Sequence, residues 1–113
     1  MAALKRLNQL SAPRQALVRL FQSVNFGQIN GLSIRKGEPI FHPQPTVLVD
    51  MKLDGEDGER PEADLSDFTL RDEVRRLMAC LDELNTGTIE RIEVRSGIPR
   101  RVIIERRLTE ASP

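Results

Sequence analysis

One pattern occurs twice in this chain of 113 residues, and its second occurrence begins 60 residues after the first. The pattern is N-x-G-x-I-x-x-[LI]-x-[IV]-R-x-G-x-P, over residues 25–39 and 85–99. Six of its 15 positions are identical, whereas ordinary residue frequencies give roughly one chance match. The chain is therefore expected to fold as two similar units placed side by side.

Each unit begins with a predicted helix. Ser11 is a favourable N-cap for the first helix, because its hydroxyl can accept a backbone N–H of the first turn. Thr69 and Asp72 resemble a capping box for the second. Asn25 and Asn85, each followed two residues later by glycine, are expected to end the helices. The apolar stripes have helical spacing. They comprise Leu17, Leu20, Phe21 and Val24 in the first unit, and Leu70, Val74, Leu77, Met78, Leu81 and Leu84 in the second.

A β-hairpin is predicted after each helix. Gly37 and Gly97 are expected to supply positive φ at the two turns. Ile29 is out of phase with the apolar residues Leu32 and Ile34, and the second unit has the same break. Side chains alternate along a strand, so three such residues cannot share one face without an extra residue. The pattern therefore predicts a β-bulge in both hairpins.

The return strands are the least similar parts of the two units. In the first unit, Pro39, Pro43 and Pro45 interrupt residues 38–45, so the clean strand is predicted over 46–53. In the second unit it is predicted over 99–107. The acidic, turn-rich segment 54–67 joins the units and is expected to be a mobile loop.

Together these features predict one α+β domain over residues 1–113. Its internal repeats are 12–53 and 70–108, joined by the acidic loop 54–67. A single helix and hairpin cannot bury a core. The expected architecture is a tandem α-β-β repeat that forms a four-stranded antiparallel sheet with two helices packed on one face. An apolar centre on the open face of the sheet would predict a dimer.

The chain has 17 Lys and Arg residues and 17 Asp and Glu residues, so its formal net charge is zero. This balance argues against a general polyanion binder. The single cysteine fits a reducing compartment. No run approaches the roughly 20 apolar residues of a membrane span, and the N-terminus lacks the apolar core of a signal peptide. We expect a cytoplasmic protein of bacterial style with no membrane partner.

Four arginines are the candidate binding residues. Arg35 and Arg95 occupy matched positions beside the turn glycines, where a guanidinium could bind a carboxylate or a phosphate. The alternative is a structural role in a cross-strand ion pair with Glu38, Glu93 or Glu105. Arg100 and Arg101 lie on the last strand, where they favour either an anion-binding surface or protection of a sheet edge.

Catalytic and metal chemistry have little support in the sequence. His42 is the only histidine and Cys80 the only cysteine, whereas a zinc site needs several such ligands. Cys80 occupies the position matched to Leu20, which predicts a small core or boundary residue. The acidic loop lacks the spacing of a calcium-binding EF-hand. No cofactor motif occurs, and no cofactor or metal is expected.

The helix followed by a G-x-[IV] hairpin resembles the YezD-like small bacterial domain of unknown function. Each half of the chain resembles one copy of that domain. The chain differs from it by one extra residue between the two glycines of each hairpin. The resemblance implies a small bacterial α+β protein with possible self-association, and it implies no activity.

Two functional hypotheses follow. The first is a non-catalytic binding module that forms a homodimer or binds a protein partner. The alternative is a nucleic-acid or anion-binding protein that uses the arginine-rich hairpins. A third class, a small enzyme using His42 or Cys80, would need a pocket that joins those two residues.

Overall fold

The computed structural model describes residues 6–54 and 67–105, which form two α-helices and a five-stranded antiparallel sheet. After a short 3₁₀ helix, Leu7–Gln9, the order is helix α1, strands β1, β2 and β3, helix α2, and strands β4 and β5. Their bounds are α1 Ala12–Val24, β1 Phe26–Arg35, β2 Glu38–Ile40, β3 Thr46–Val49, α2 Asp72–Leu84, β4 Gly87–Arg95 and β5 Ile98–Ile104.

The predicted ends of α1 are confirmed. Ser11 is its N-cap, and the Ser11 hydroxyl accepts the Arg14 N–H at 3.4 Å. Asn25 ends the helix with φ 63°, and its N–H still donates to the Phe21 carbonyl at 2.9 Å. Asn85 ends α2 in the same way with φ 62°. Asparagine tolerates a positive φ better than most residues do.

The predicted start of α2 is wrong. The helix begins at Asp72, and its N-cap is Arg71, which makes no side-chain capping bond. Thr69 instead lies in extended backbone and forms an isolated bridge with Arg6. The neighbouring Leu7 N–H donates to the Phe68 carbonyl at 2.9 Å. A tertiary contact with the N-terminal segment therefore holds these residues out of the helix.

The sheet is centred on the antiparallel pair β1 and β4. Strand β5 pairs with the far side of β4, while β2 and β3 both pair with the far side of β1. The prediction of four strands is thus corrected to five. The first return strand is divided because residues 41–45 lie outside any strand, and prolines in that segment cannot donate to a ladder.

Both hairpin turns have two central residues with positive φ. The values are 53° and 78° at Lys36 and Gly37, and 56° and 72° at Ser96 and Gly97. Two-residue turns of this kind match the twist of the flanking strands. The predicted role of the turn glycines is confirmed.

Each turn glycine also bonds to the end of the other helix. The Gly37 N–H donates to the Asn85 carbonyl at 2.7 Å, and the Gly97 N–H donates to the Asn25 carbonyl at 2.9 Å. These two bonds satisfy carbonyl groups that a helix end leaves without an intrahelical partner. They tie each hairpin to the helix of the other half.

The predicted β-bulge is found in the second hairpin, where the β4–β5 register shifts between Ile89 and Arg91. The register of β1 with β2 has no such shift, but the alternation of β1 and β4 breaks where they face each other. Asn30 pairs with Arg91 and Leu32 pairs with Ile89, so one residue of each strand is left out of the ladder between these pairs. Ile29, Leu32 and Ile34 are consequently all buried.

One hydrophobic cluster joins both helices to one face of the sheet. The sheet contributes Ile29, Leu32, Ile34, Ile89, Ile92 and Val94, and the helices contribute Leu17, Val18, Phe21, Val24, Val74, Leu77, Met78 and Leu81. Leu7, Leu10 and Phe68 extend the cluster beyond the two predicted units, and Leu70 joins it from the segment just before α2.

Two predictions concern residues that are only partly described. Within the acidic loop 54–67, residues 55–66 lie outside the described residues, as do the last residues of the predicted second repeat after 105. The first return strand was expected to reach Leu53, but β3 ends at Val49.

Gly31 and Gly37, two glycines of the first hairpin with φ 74° and 78°, provide a matched test of the turn. A Cβ at Gly37 would lie 3.0 Å from Arg14 Nη2, whereas one at Gly31 would meet nothing within 4 Å. We expect Gly31→Ala to lower the free energy of unfolding by about 1 kcal/mol, from backbone strain alone. Gly37→Ala should cost more, and urea denaturation measures both. Equal losses would contradict a close-packed turn.

Asp67 is predicted to make the free energy of unfolding fall at low pH. The pKa of Asp67 is lowered from its ordinary value of 3.8, chiefly because its carboxylate accepts the Asn8 N–H and secondarily because it pairs with Arg6. A lowered pKa stabilises the fold above the unfolded pKa, and this contribution is lost as the pH falls through the folded pKa. Asp67→Asn should therefore weaken the loss of stability below about pH 4, measured by urea denaturation across pH. Asp54→Asn, at an exposed position, is the control and should leave that loss unchanged.

Candidate functional site

The exposed apolar surface is concentrated next to one sheet edge. Among the described residues, six large hydrophobic side chains are exposed, and five of them lie within residues 47–53. They are Val47, Leu48, Val49, Met51 and Leu53; the sixth is Ile103 on β5. We call residues 46–50 the β3 edge.

Both faces of β3 are exposed. Val47 pairs with the buried Ile29 and so lies on the helix side of the sheet, whereas Leu48 pairs with Gln28 and lies on the opposite side. Even so, the exposed fraction is 48% at Leu48 and 53% at Val49. Helix α1 contacts this strand without burying it, so its apolar side chains remain exposed on both sides of the sheet.

Gly27 allows β3 to lie close against β1. A Cβ built at this position would lie 2.0 Å from the Leu48 carbonyl oxygen and 3.0 Å from a methyl group of Val24. No real side chain fits in that space. Glycine is thus required where the β1 backbone passes between helix α1 and the paired strand.

The other strands at the sheet edges carry features that discourage pairing with another chain. β5 has Pro99 with Arg100 and Arg101, and β2 has Glu38 with Pro39. Charged side chains and prolines are the usual protection of an exposed edge. β3 itself consists of one threonine and three aliphatic residues, so a proline and a charge lie only at its two ends, at Pro45 and Asp50.

The two matched arginines do not converge. Arg95 pairs with Phe26 at the start of β1, and Arg35 is the last residue of the same strand. A strand rises about 3.3 Å per residue, so roughly 30 Å separates their backbones. Both side chains are exposed. The two arginines belong to opposite ends of the central ladder.

Arg95 and Arg100 do share a surface pocket of about 220 Å³. Its lining also includes the carboxylates of Asp50 and Glu93. Arg100 donates to Glu73 of α2 at 2.9 Å. Because acids and bases line this pocket in equal number, it has no excess positive charge for an anion.

The ion pairs proposed as the structural role of the matched arginines are not formed among the described residues. Arg35 pairs with Glu38 in the β1–β2 register. The Glu38 carboxylate, however, accepts the Ser11 hydroxyl at 2.5 Å and lies 3.8 Å from Arg14 Nε. Arg101 pairs in register with Glu93 across β4 and β5, and its side chain is exposed.

Arg14 is a structural residue that the sequence interpretation missed. It is only 7% exposed, and its guanidinium donates twice to the Gly37 carbonyl, at 2.8 and 3.2 Å. It also donates to Asp82 of α2 at 2.5 Å. In the second unit the position matched to Arg14 is Val74, a residue of the apolar stripe. An arginine at the position of a stripe residue was the sequence signal that Arg14 is buried.

His42 and Cys80 do not form a common site. Both are exposed, and the pocket lined by Cys80 does not include His42. Cys80 is exposed and so is not a core residue; it lines a surface pocket between α2 and β5, which is a boundary position. In the part of the chain that the structure describes, no group of three or more His, Cys, Asp or Glu residues could hold a metal ion.

Comparisons with protein-family models, with curated proteins and with solved structures returned no match to this chain. The resemblance to the YezD-like domain therefore stays a prediction. Within residues 6–54 and 67–105, neither helix has the length and apolar character that crossing a membrane requires.

Arg14 and its acidic partner provide a matched pair of variants. Arg14→Met keeps the aliphatic packing but leaves the Gly37 carbonyl without its donor, which should cost about 1–3 kcal/mol of unfolding free energy. Asp82→Asn should cost less than about 1 kcal/mol, because the Asp82 side chain is 69% exposed and its ion pair is screened. Urea denaturation at neutral pH distinguishes the two. A larger loss for Asp82→Asn would contradict this assignment.

Proposed function

We propose that this protein is a non-catalytic interaction module that self-associates through the β3 edge. The observation that carries the proposal is the concentration of exposed apolar side chains at residues 47–53, beside a strand with no protective charge or proline. Contiguous apolar surface on a folded protein typically marks an interaction site. An unpaired strand edge supplies the backbone hydrogen bonds for such an interaction.

We also propose that the fold arose by duplication of one α-β-β unit. In support, both helices span 13 residues, and their first residues are Ala12 and Asp72. The residues of positive φ at the helix ends and hairpin turns recur at the same spacing. The reciprocal bonds from Gly37 to Asn85 and from Gly97 to Asn25 relate the two halves by an approximate two-fold axis.

The proposal includes the bacterial and cytoplasmic setting expected from the sequence. The single cysteine supports a reducing compartment, because the chain does not rely on an internal disulfide. A self-associating module would act there by joining two copies of this chain.

The alternative of a nucleic-acid or anion-binding protein has less support. Arg35 is distant from the other candidates, and the pocket shared by Arg95 and Arg100 is balanced by Asp50 and Glu93. A polyanion site needs several cations that face one ligand without competing acids. A salt-dependent affinity for DNA or RNA that is lost in Arg95→Ala would favour the alternative.

Analytical ultracentrifugation tests the proposed self-association. The wild-type chain should form a dimer in the micromolar concentration range. Val49→Lys should raise the dissociation constant of the dimer at least tenfold. The dimer loses two buried valines, and the burial of each contributes at least about 1.5 kcal/mol to the free energy of association. Ile103→Lys is the matched control, since it places the same charge at an exposed aliphatic residue of the other edge.

Two results would contradict the proposal. One is a wild-type chain that remains monomeric throughout the micromolar range. The other is an equal effect of Val49→Lys and Ile103→Lys, which would mean that the β3 edge has no special part in association. Circular dichroism of both variants checks that neither substitution unfolds the chain.

A further inference from the structure

The direction of the backbone groups on β3 determines how another strand can be added. The Asp50 N–H donates to the Phe26 carbonyl at 2.7 Å, so the backbone groups of residue 50 face β1. In an antiparallel ladder these groups alternate from one residue to the next. The N–H and C=O groups of Val47 and Val49 therefore face away from β1. No strand pairs with that side of β3 in the described parts of the chain.

From this geometry we infer that two copies of the chain join β3 to β3 in antiparallel orientation, with Leu48 facing Leu48 of the second copy at a two-fold axis. The inference rests on the proposed function and specifies its partner and register. In this arrangement Val47 of each copy exchanges backbone hydrogen bonds with Val49 of the other. The two sheets then continue as one.

A second copy of the chain is favoured as the partner of β3, because pairing of β3 with β3 gives a closed dimer. A β3 strand added to the β5 edge of another copy would leave a free β3 in that copy, and the assembly would grow as an open filament. Arg100 and Arg101 on β5 also oppose an apolar partner strand. The pair of β3 strands instead leaves the β5 and β2 edges of the described sheet exposed, and both of these carry charges and prolines.

Side-chain complementarity also favours a second copy. In the Leu48-centred register, Thr46 faces Asp50 of the other copy, so its hydroxyl can donate to the carboxylate. These two polar pairs flank the pair of leucines on the open face of the sheet. On the helix side, Val47 faces Val49 twice. Cross-strand pairs of β-branched residues and pairs joined by a side-chain hydrogen bond stabilise antiparallel strands.

Alternative registers within the same edge are less favourable. A register centred on Val47 pairs Val49 with Pro45, which has no N–H to donate. A register centred on Asp50 places two carboxylates directly opposite each other, and like charges in that position are destabilising. A register centred on Val49 places Leu48 opposite Asp50 twice and needs Met51, which lies beyond the strand.

Disulfide formation between single cysteines tests the register. The native cysteine is first removed with Cys80→Ser, and the variants Leu48→Cys, Val49→Cys and Asp50→Cys are then oxidised in a glutathione buffer. At the axis, the two Cα atoms of residue 48 should be about 4.5 Å apart, within reach of a disulfide. The Cα atoms of the two Val49 positions should be about 8–9 Å apart, beyond that reach.

We expect Leu48→Cys to form the covalent dimer at least ten times faster than Val49→Cys or Asp50→Cys, as measured by non-reducing electrophoresis. Ile103→Cys in the same Cys80→Ser background is the control for random collision, since it lies exposed on the other edge. Sedimentation of each reduced variant checks that it still associates as the wild-type chain does.

The possible outcomes separate the register from the proposed function. Faster oxidation at residue 49 or 50 would overturn the Leu48-centred register while leaving self-association through β3 intact. A wild-type dimer in which no β3 cysteine reacts faster than Ile103→Cys would overturn the pairing of β3 with β3. A strictly monomeric wild-type chain would overturn both, and the edge would then be left for an extended segment of another protein.

Discussion

The antiparallel ladder between β1 and β4 is the interaction on which the rest of the structure depends. A helix with one short hairpin has too little apolar surface to be stable alone. Here the central ladder places both helices over one shared cluster of buried side chains. The bonds from Gly37 to Asn85 and from Gly97 to Asn25 then connect each hairpin turn to the opposite helix.

The two halves differ most at their outer strands. β5 runs without interruption over Ile98–Ile104, whereas the corresponding part of the first half is divided into β2 and β3. The guanidinium of Arg14 lies near β2, where it binds the Gly37 carbonyl. β3 lies beyond this anchored region, and its side chains are exposed on both faces of the sheet. The candidate interaction edge thus lies where the outer strand beside β1 is divided.

The edges of the sheet also explain why the arginines are weak candidates for a ligand site. Arg100 and Arg101 lie on β5, where charge discourages association with another strand. Arg95 shares its pocket with acids, and Arg35 is at the far end of the ladder. Arg100 and Arg101 therefore suit protection of the β5 edge better than they suit recognition of a phosphate.

Much of the local structure could be predicted from the sequence, because it depends on the conformational limits of individual residues. Asn25 and Asn85 end the helices, Gly37 and Gly97 form the turns, and the misplaced Ile29 indicates the break in β1. Each of these features is a property of a short segment. The recurrence of the same residues 60 positions later identified these features in the sequence.

The candidate site depended on contacts between distant segments. Residues 47–53 have the alternation of a half-buried strand, and only the packing of the helices left β3 exposed on both faces. Thr69 has the local features of a cap, but its bridge with Arg6 holds it outside α2. Arg14 is buried because a carbonyl and a carboxylate from other elements meet it. The sequence alone determined where both helices end and where both hairpins turn, because single residues impose those backbone angles. The tertiary structure decided where α2 begins and which apolar surface remained in water.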